Sequence, residues 1–260
     1  MDFSFGRKMN HVATSNGFPQ NNGAHDSNVR DEVKLLLALQ AMTMVTGFVD
    51  AVSYLGLGHV FTANMTGNVV LLGLALVEAP RLSIARPLIS ILAFMAGGVV
   101  GGRLSLALLA VPRRRYVVTS AAFEAALLGT GALLCARSSI AADASGARIY
   151  MVIVLTAAAM GLRTATVHHL AVTDITTTVV TSILAAVAAD SSLAGGHNVR
   201  IARRACSALC VLFGAAMGAL LLRFGLAVPL ISGGVLVLAA ASAYARTSSI
   251  SSRAGEEKNA

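Results

Sequence analysis

Two charged residues, Asp50 and Arg163, lie inside long apolar stretches of the sequence. A charge at bilayer depth costs about 2.5–3.5 kcal/mol on insertion scales and usually faces the protein interior. Both residues follow a glycine at nearly equivalent places in two similar stretches, so an ion pair between them would offset the desolvation of each. Asp50 would then either couple a proton or cation to transport, or only fix two halves of the chain together. The sequence leaves both alternatives open.

Arg103 and Glu124 also lie in apolar stretches, but nearer to the ends of those stretches. Long charged side chains close to a helix end can extend to the membrane interface. We therefore expect these two side chains to lie at the interface and do not assign them to a functional site.

Polar residues are densest at the start of two apolar segments. The first group is Thr62, Asn64, Thr66 and Asn68, and the second is Asp174, Thr176, Thr177, Thr178 and Thr181. On a helix, the i,i+4 pairs of the first group would form two adjacent polar stripes. Such side chains can line a solute pathway, although they also join helices through hydrogen bonds. Because both groups begin an unusually polar segment, the pattern favours a pathway.

The composition identifies the class of protein that must position these residues. Of the 260 residues, 56% are apolar and only 12% are charged, with a mean hydropathy of +0.74, whereas a soluble domain carries about 25% charged residues. The net charge is +8, but the basic residues lie mostly in short connections between apolar runs, where they orient helices in a bilayer. The sequence therefore predicts an all-α, polytopic protein of the lipid bilayer that does not bind nucleic acid.

Eight apolar segments are candidate helices. They run over residues 35–57, 60–79, 87–111, 116–136, 149–170, 174–190, 205–222 and 225–245. A span needs about 20 apolar residues, and the second and sixth segments are short or begin with polar residues. These two segments either cross the membrane or enter it as half-helices. The prediction is a transmembrane helical bundle of 6–8 spans, with both termini in the cytoplasm in either case.

A weak internal repeat divides the chain into two homologous halves. The matched positions include Gly47 with Gly161, and Gly98-x-x-x-Gly102 with Gly214-x-x-x-Gly218. Glycines at this spacing, including Gly97 and Gly101, allow helix backbones to approach closely. The predicted regions are a disordered cytoplasmic tail (1–34), a first membrane repeat (35–136), a second membrane repeat (149–245) and a cytoplasmic C-terminal tail (246–260).

No motif of a catalytic, cofactor or metal site is present in the sequence. It contains no GxSxG, P-loop or HExxH pattern. The three cysteines lie in apolar segments and three of the histidines at predicted helix ends: Cys135, Cys206, Cys210, His59, His168 and His169. We therefore expect no enzymatic activity, no cofactor and no metal ion.

The motif Gly47-Phe48-Val49-Asp50, followed by Asn64-Met65-Thr66-Gly67-Asn68, resembles the YoaK-type family of bacterial integral membrane proteins. Asp174 and the threonines at 176–178 support the resemblance, which covers residues 35–245. The resemblance implies a multi-pass protein of the bacterial cytoplasmic membrane. It implies no activity, because the function of the family is not established.

Two hypotheses about function follow from these features. The first is a small-solute or ion-coupled transporter whose binding or pathway residues are Asp50, Asn64, Thr66, Asn68, Arg163, Asp174, Thr176 and Thr177. The second is a membrane scaffold or assembly partner whose glycine-lined helix faces dock other helices. The partners considered are the lipid bilayer, a small solute or ion, and further copies of the chain in a homo-oligomer.

Overall fold

The computed structural model describes residues 22–77, 82–136, 146–170, 180–189 and 201–257. Within these ranges the chain forms eight α-helices, one short 3₁₀ helix and no strand. The helices are α1 (Asn22–Gly56), α2 (Met65–Leu76), α3 (Ala85–Ala107), α4 (Arg113–Ala136), α5 (Ala147–His169), α6 (Val180–Ala189), α7 (Ile201–Leu221) and α8 (Ala227–Glu257), and the 3₁₀ helix Leu222–Phe224 follows α7. The all-α fold class predicted from the sequence is confirmed.

Six of these helices are long and apolar enough to cross a membrane. The candidate spans are Glu32–Gly56, Ala85–Ala107, Arg113–Ala136, Ala147–His169, Ala202–Phe224 and Ala227–Arg246. The other two, α2 and α6, have 12 and 10 residues. At 1.5 Å per residue, α2 is about 18 Å long, well short of a hydrocarbon core of about 30 Å. The eight predicted segments therefore correspond to six long helices and two short ones.

The helices extend into both predicted tails. α1 begins at Asn22, inside the region 1–34, and α8 continues to Glu257, inside the region 246–260. The division of the membrane region into two homologous halves stays a prediction.

The side chains that face outward from the bundle are largely apolar. The peripheral helices α3 and α7 are the least buried of the six long helices, and they expose Leu92, Met95, Val99, Leu106, Leu209, Leu212 and Phe213. Large apolar patches of this kind are rare on soluble proteins. In a bilayer these side chains would contact hydrocarbon, so their exposure fits the predicted membrane location.

The bundle core lies among α1, α4, α5 and α8. Its fully buried side chains include Val45 and Val49 from α1, Leu128 from α4, Ile153 from α5 and Leu230 from α8. α1 packs along α7 and α8, α4 packs along α5 and α8, and α3 packs along α5. A polar side chain on the inner faces of α1, α4 and α5 is therefore shielded from both lipid and water.

Glycines bring two pairs of long helices into backbone contact. A Cβ atom on Gly97 of α3 would lie 2.1 Å from the carbonyl oxygen of Ala158 on α5. A Cβ atom on Gly214 of α7 would lie 2.0 Å from the carbonyl oxygen of Met44 on α1. Any side chain at either glycine would push the two backbones apart. The close packing predicted for these glycine motifs is therefore found inside the chain.

The glycines of α3 differ in the face they present. A Cβ atom on Gly101 would lie 2.9 Å from the carbonyl oxygen of Leu162, so Gly101 continues the contact surface of Gly97. A Cβ atom on Gly102 would meet no atom of another helix within 4 Å among the described residues. The close contact thus involves positions 97 and 101, whereas the sequence match used positions 98 and 102. Consecutive residues on a helix point in directions about 100° apart, so the two pairs lie on different faces of α3.

Candidate functional site

The loop between α1 and α2 is held by the carboxylate of Asp50. Its Oδ1 atom accepts backbone N–H groups from Thr62 at 3.2 Å, Ala63 at 2.8 Å and Asn64 at 3.4 Å. These N–H groups immediately precede α2, and the start of a helix carries unsatisfied donors and favours a negative group. Asp50 therefore fixes the position at which α2 begins.

The same loop is fastened to α2 and α3 by side chains. The buried amide of Asn68 accepts from the Phe61 N–H at 2.9 Å and donates to the Phe61 carbonyl oxygen at 2.6 Å. The hydroxyl of Ser90 on α3 donates to that same carbonyl oxygen at 2.7 Å. Arg86, also on α3, donates to the carbonyl oxygen of Gly58 at 3.2 Å. The loop is therefore tied to three helices.

The predicted polar stripes on the second segment are not formed, because α2 begins only at Met65. Asn64 is the N-cap residue, and its Oδ1 accepts the Gly67 N–H at 3.3 Å. Thr62 lies in the preceding loop, where its hydroxyl is buried and has no hydrogen-bond partner among the described residues. The fold buries Thr62 and Asn68 and leaves Asn64 and Thr66 exposed.

The predicted ion pair between Asp50 and Arg163 is wrong: Arg163 pairs with Glu124. The Nη2 atom of Arg163 donates to Oε1 of Glu124, and its Nη1 atom donates to the carbonyl oxygen of Met42 and, at 3.0 Å, to the hydroxyl of Thr46. At the level of Arg163, α1 thus presents Met42 and Thr46. Asp50 lies one turn beyond Thr46 on α1, and its Oδ1 atom already accepts hydrogen bonds from the loop before α2.

The expectation that Glu124 reaches the membrane interface is also wrong. Glu124 lies at the middle of α4 and is only 2% exposed, because α5 and α8 pack against α4. Arg163 is likewise 2% exposed. Arg103, in contrast, is exposed near the end of α3, where it can extend to the interface.

Glu124 and Arg163 face a narrow pocket in the bundle core. Its lining residues are Leu39, Met42, Val117, Ser120, Ala121, Glu124, Arg163, Thr166, Val167 and Leu170. The pocket admits no more than about one water molecule. Charged groups, hydroxyls and apolar walls are thus combined at membrane depth.

A larger cavity adjoins this pocket at one end of the bundle. We call it the basic vestibule; it has about 520 Å³ of empty space and is lined by Leu108, Leu109, Val111, Arg113, Tyr116, His169 and Leu170. Leu170 belongs to the walls of both the pocket and the vestibule. Its carbonyl oxygen accepts from Nη2 of Arg113 at 3.0 Å.

The remaining predicted site residues, Asp174, Thr176 and Thr177, lie outside the described residues together with Thr178. Their role in a pathway stays a prediction. The described residues contain no group of three or more His, Cys, Asp or Glu side chains that could hold a metal ion.

Replacing Asp50 with Ala is expected to loosen the loop before α2. The substitution removes the acceptor of three backbone N–H groups, and hydrogen bonds to a charged group contribute about 1.5–3 kcal/mol. Amide hydrogen exchange at Thr62 and Ala63 should accelerate at least about tenfold. Asp50→Asn should have a smaller effect, because its carbonyl oxygen can still accept.

The matched control for this experiment is Thr66→Ala. Thr66 is exposed and lies on the same short helix, so exchange in the loop should not change. Unaltered protection of Thr62 and Ala63 in Asp50→Ala would contradict the role of Asp50 in fixing the loop.

Comparisons with known proteins assign the chain to a family. Residues 38–242 match the model of a family described as "Protein of unknown function (DUF1275)". The chain is 31% identical over 154 residues to "UPF0700 transmembrane protein YoaK" of Bacillus subtilis (strain 168), a match that covers 59% of this chain and 66% of the relative, slightly under two thirds. No solved structure matches. With six apolar spans and this family match, the chain is a multi-pass membrane protein that belongs to the DUF1275 family of proteins of unknown function.

Proposed function

We propose that this chain is a small-solute or ion-coupled transporter of the bacterial cytoplasmic membrane. The observation that carries the proposal is the buried Glu124–Arg163 pair in a pocket among α1, α4 and α5. Charges at membrane depth are costly, and they typically mark substrate or ion pathways. The proposed role moves a solute and involves no covalent chemistry.

The short helix α2 supports the proposal. Transporters commonly bind their substrates where a helix is interrupted near the middle of the membrane, because non-helical backbone is tolerated there only beside protein or a cavity. The loop before α2 follows the end of the Glu32–Gly56 span, and Asp50, Asn68 and Ser90 supply the polar partners that its non-helical backbone needs. In this proposal Asp50 positions the loop, and the exposed residues Asn64 and Thr66 lie on the solute pathway.

The pattern of helix packing supports two homologous halves. Between the two halves, α1 packs on α7 and α3 packs on α5. These two contacts are equivalent if α1 corresponds to α5 and α3 to α7. Two further pairs of contacts correspond in the same way. The contact of α1 with α8 matches that of α5 with α4, and the contact of α2 with α3 matches that of α6 with α7. Three long helices per half would give the two halves opposite orientations, as in transporters built from inverted repeats.

The proposed topology has both termini in the cytoplasm. With six spans, the consecutive basic residues Arg113, Arg114 and Arg115 at the start of α4 lie on the cytoplasmic side. This arrangement satisfies the tendency of positive charge to stay inside. The basic vestibule, which includes Arg113, then opens toward the cytoplasm.

The alternative role as a scaffold receives less support from the structure. That hypothesis relied on glycine-lined helix faces that dock a partner. Gly97 and Gly214 instead contact backbone of α5 and α1 in the same chain, so the faces of these two glycines are already occupied, and among the glycines of these motifs only Gly102 meets no other described helix.

Vesicle swelling tests the proposed function without a known substrate. Proteoliposomes are mixed with a concentrated solution of glycerol, alanine, glycolate or choline chloride, which draws water out and shrinks them. Light scattering then follows the re-swelling that occurs as the solute enters. We expect at least one solute to enter several-fold faster than into protein-free vesicles. Asp50→Ala, which removes the acceptor that positions the loop before α2, should abolish this entry without reducing the amount of folded protein in the vesicles.

The scaffold hypothesis predicts the opposite outcome. Vesicles that contain folded wild-type protein would then take up each of the four solutes at the same rate as protein-free vesicles. Equal loss of protein and of solute entry in Asp50→Ala would assign that residue a structural role only.

A further inference from the structure

We propose that the pocket of Glu124 and Arg163 binds a small monocarboxylate, with formate as the smallest example, together with one proton. The inference rests on the proposed function, because it names the substrate class of the transporter. In the bound state the carboxylate of the solute replaces that of Glu124 on Arg163, and Glu124 carries the proton.

The hydrogen bonds of Arg163 leave part of its guanidinium unused. Nη1 is committed to α1, where it donates to Met42 and Thr46. Nη2 donates to one oxygen of Glu124, whereas Nε is buried and has no partner in the described part of the chain. Nε and Nη2 form one edge of the guanidinium, and that edge matches a carboxylate that accepts two parallel hydrogen bonds. Glu124 thus occupies half of a carboxylate-binding edge.

The size of the pocket favours exchange over simple addition. Beside Glu124 there is room for no more than about one water molecule. A solute carboxylate therefore fits only where the Glu124 carboxyl group now lies, after that side chain has turned away from Arg163. A formate ion presents the same planar group as the Glu124 side chain. The site therefore selects a small monocarboxylate over a large or multiply charged anion.

The charge balance requires a proton. Glu124 and Arg163 are the two charged groups among the residues that line the pocket, and α1 contributes only Leu39 and Met42. A carboxylate that loses its guanidinium partner in this setting takes up a proton, because an isolated buried charge is far more costly than its neutral form. The proton comes from the buffered solution and binds a carboxylate oxygen of Glu124, so the pocket is neutral before and after exchange.

Other titratable groups lie outside this pocket in the described structure. The helices α3 and α8, which also contact α4, contribute no lining residue. Arg113, Tyr116 and His169 line the basic vestibule beyond Leu170. A basic vestibule raises the local concentration of anions, which suits a pocket that takes an anion from this side.

Isothermal titration of the purified protein with sodium formate tests the inference. Titration at one pH in two buffers of different ionisation enthalpy gives the number of protons taken up per formate. We expect about one proton in the wild type, and hence an apparent Kd that rises about tenfold for each unit of pH. Sodium sulfate at equal ionic strength is the control anion and should not bind.

Two variants locate the site. Glu124→Gln, with a neutral side chain that mimics the protonated acid, should bind formate without proton uptake and with a Kd that does not depend on pH. Arg163→Gln combined with Glu124→Gln removes both charges together, so it leaves no uncompensated charge in the core and should fold without binding formate.

Three results would overturn the inference: no formate binding to the folded wild type, binding without proton uptake, or binding that survives in the double variant. A different result would contradict the proposed function. A protein that moves solutes in the swelling assay but binds no formate would still be a transporter, and only the carboxylate site would be wrong. A protein that binds formate but moves no solute would contradict the transporter proposal.

Discussion

Removing the charge of Glu124 alone is expected to destabilise the folded protein by about 3–5 kcal/mol. Glu124→Gln leaves the guanidinium of Arg163 buried without its counterion, although Met42 and Thr46 still accept hydrogen bonds from it. Arg163→Gln should cost a similar amount, because the buried carboxylate of Glu124 then loses its cation. The free energy of unfolding in detergent, from denaturant titration followed by circular dichroism, measures both effects.

The double variant distinguishes a paired charge from two independent ones. Arg163→Gln with Glu124→Gln should be more stable than either single variant, since breaking a buried pair costs more than replacing it by neutral groups. A double-mutant cycle gives the coupling free energy directly. Single variants as stable as the wild type, or strictly additive effects, would contradict a buried ion pair at this position.

Replacing Gly97 with Ala is expected to cost about 1–3 kcal/mol of stability, the usual range for overpacking. The new methyl group would lie 2.1 Å from the carbonyl oxygen of Ala158, so α3 and α5 would have to separate. Gly214→Ala should have a comparable effect, because its methyl group would lie 2.0 Å from the carbonyl oxygen of Met44. The free energy of unfolding in detergent again provides the measurement.

Gly102→Ala is the matched control on the same helix. A methyl group at this position meets no other helix within 4 Å in the described structure, and Ala favours a helix over Gly by up to about 1 kcal/mol. We therefore expect no loss of stability and a small gain. A loss in Gly102→Ala equal to that in Gly97→Ala would contradict the packing of α3 against α5.

The helical membrane fold could be predicted from the sequence because hydropathy and segment length report directly on burial in lipid. The long helices agree with six of the eight apolar segments. The start of α2 could not be placed from the pattern, since Thr62 and Asn64 are polar enough to begin a helix but serve in its loop and at its N-cap. Helix boundaries depend on such local hydrogen bonds, which apolar periodicity does not report.

The partner of Arg163 could not be predicted for a different reason. Similar positions in two homologous segments suggested Asp50, but contact depends on which helices are neighbours and how each is rotated. α5 packs on α4 along its length and has only a small contact with α1, so Arg163 meets Glu124. The signal in the sequence is the position of Glu124 within an apolar segment, but that position alone does not distinguish a buried carboxylate from one that extends to the interface.

The central claim is that the chain moves a solute through the pocket of Glu124 and Arg163. Its most direct test is the entry rate, in the swelling assay, of the solute that the wild type moves fastest, compared with the rate in Arg163→Gln/Glu124→Gln at equal protein per vesicle. We predict that the double variant, folded and inserted, falls to the rate of protein-free vesicles. Solute entry at the wild-type rate in that variant, or no entry with the wild type itself, would contradict the claim.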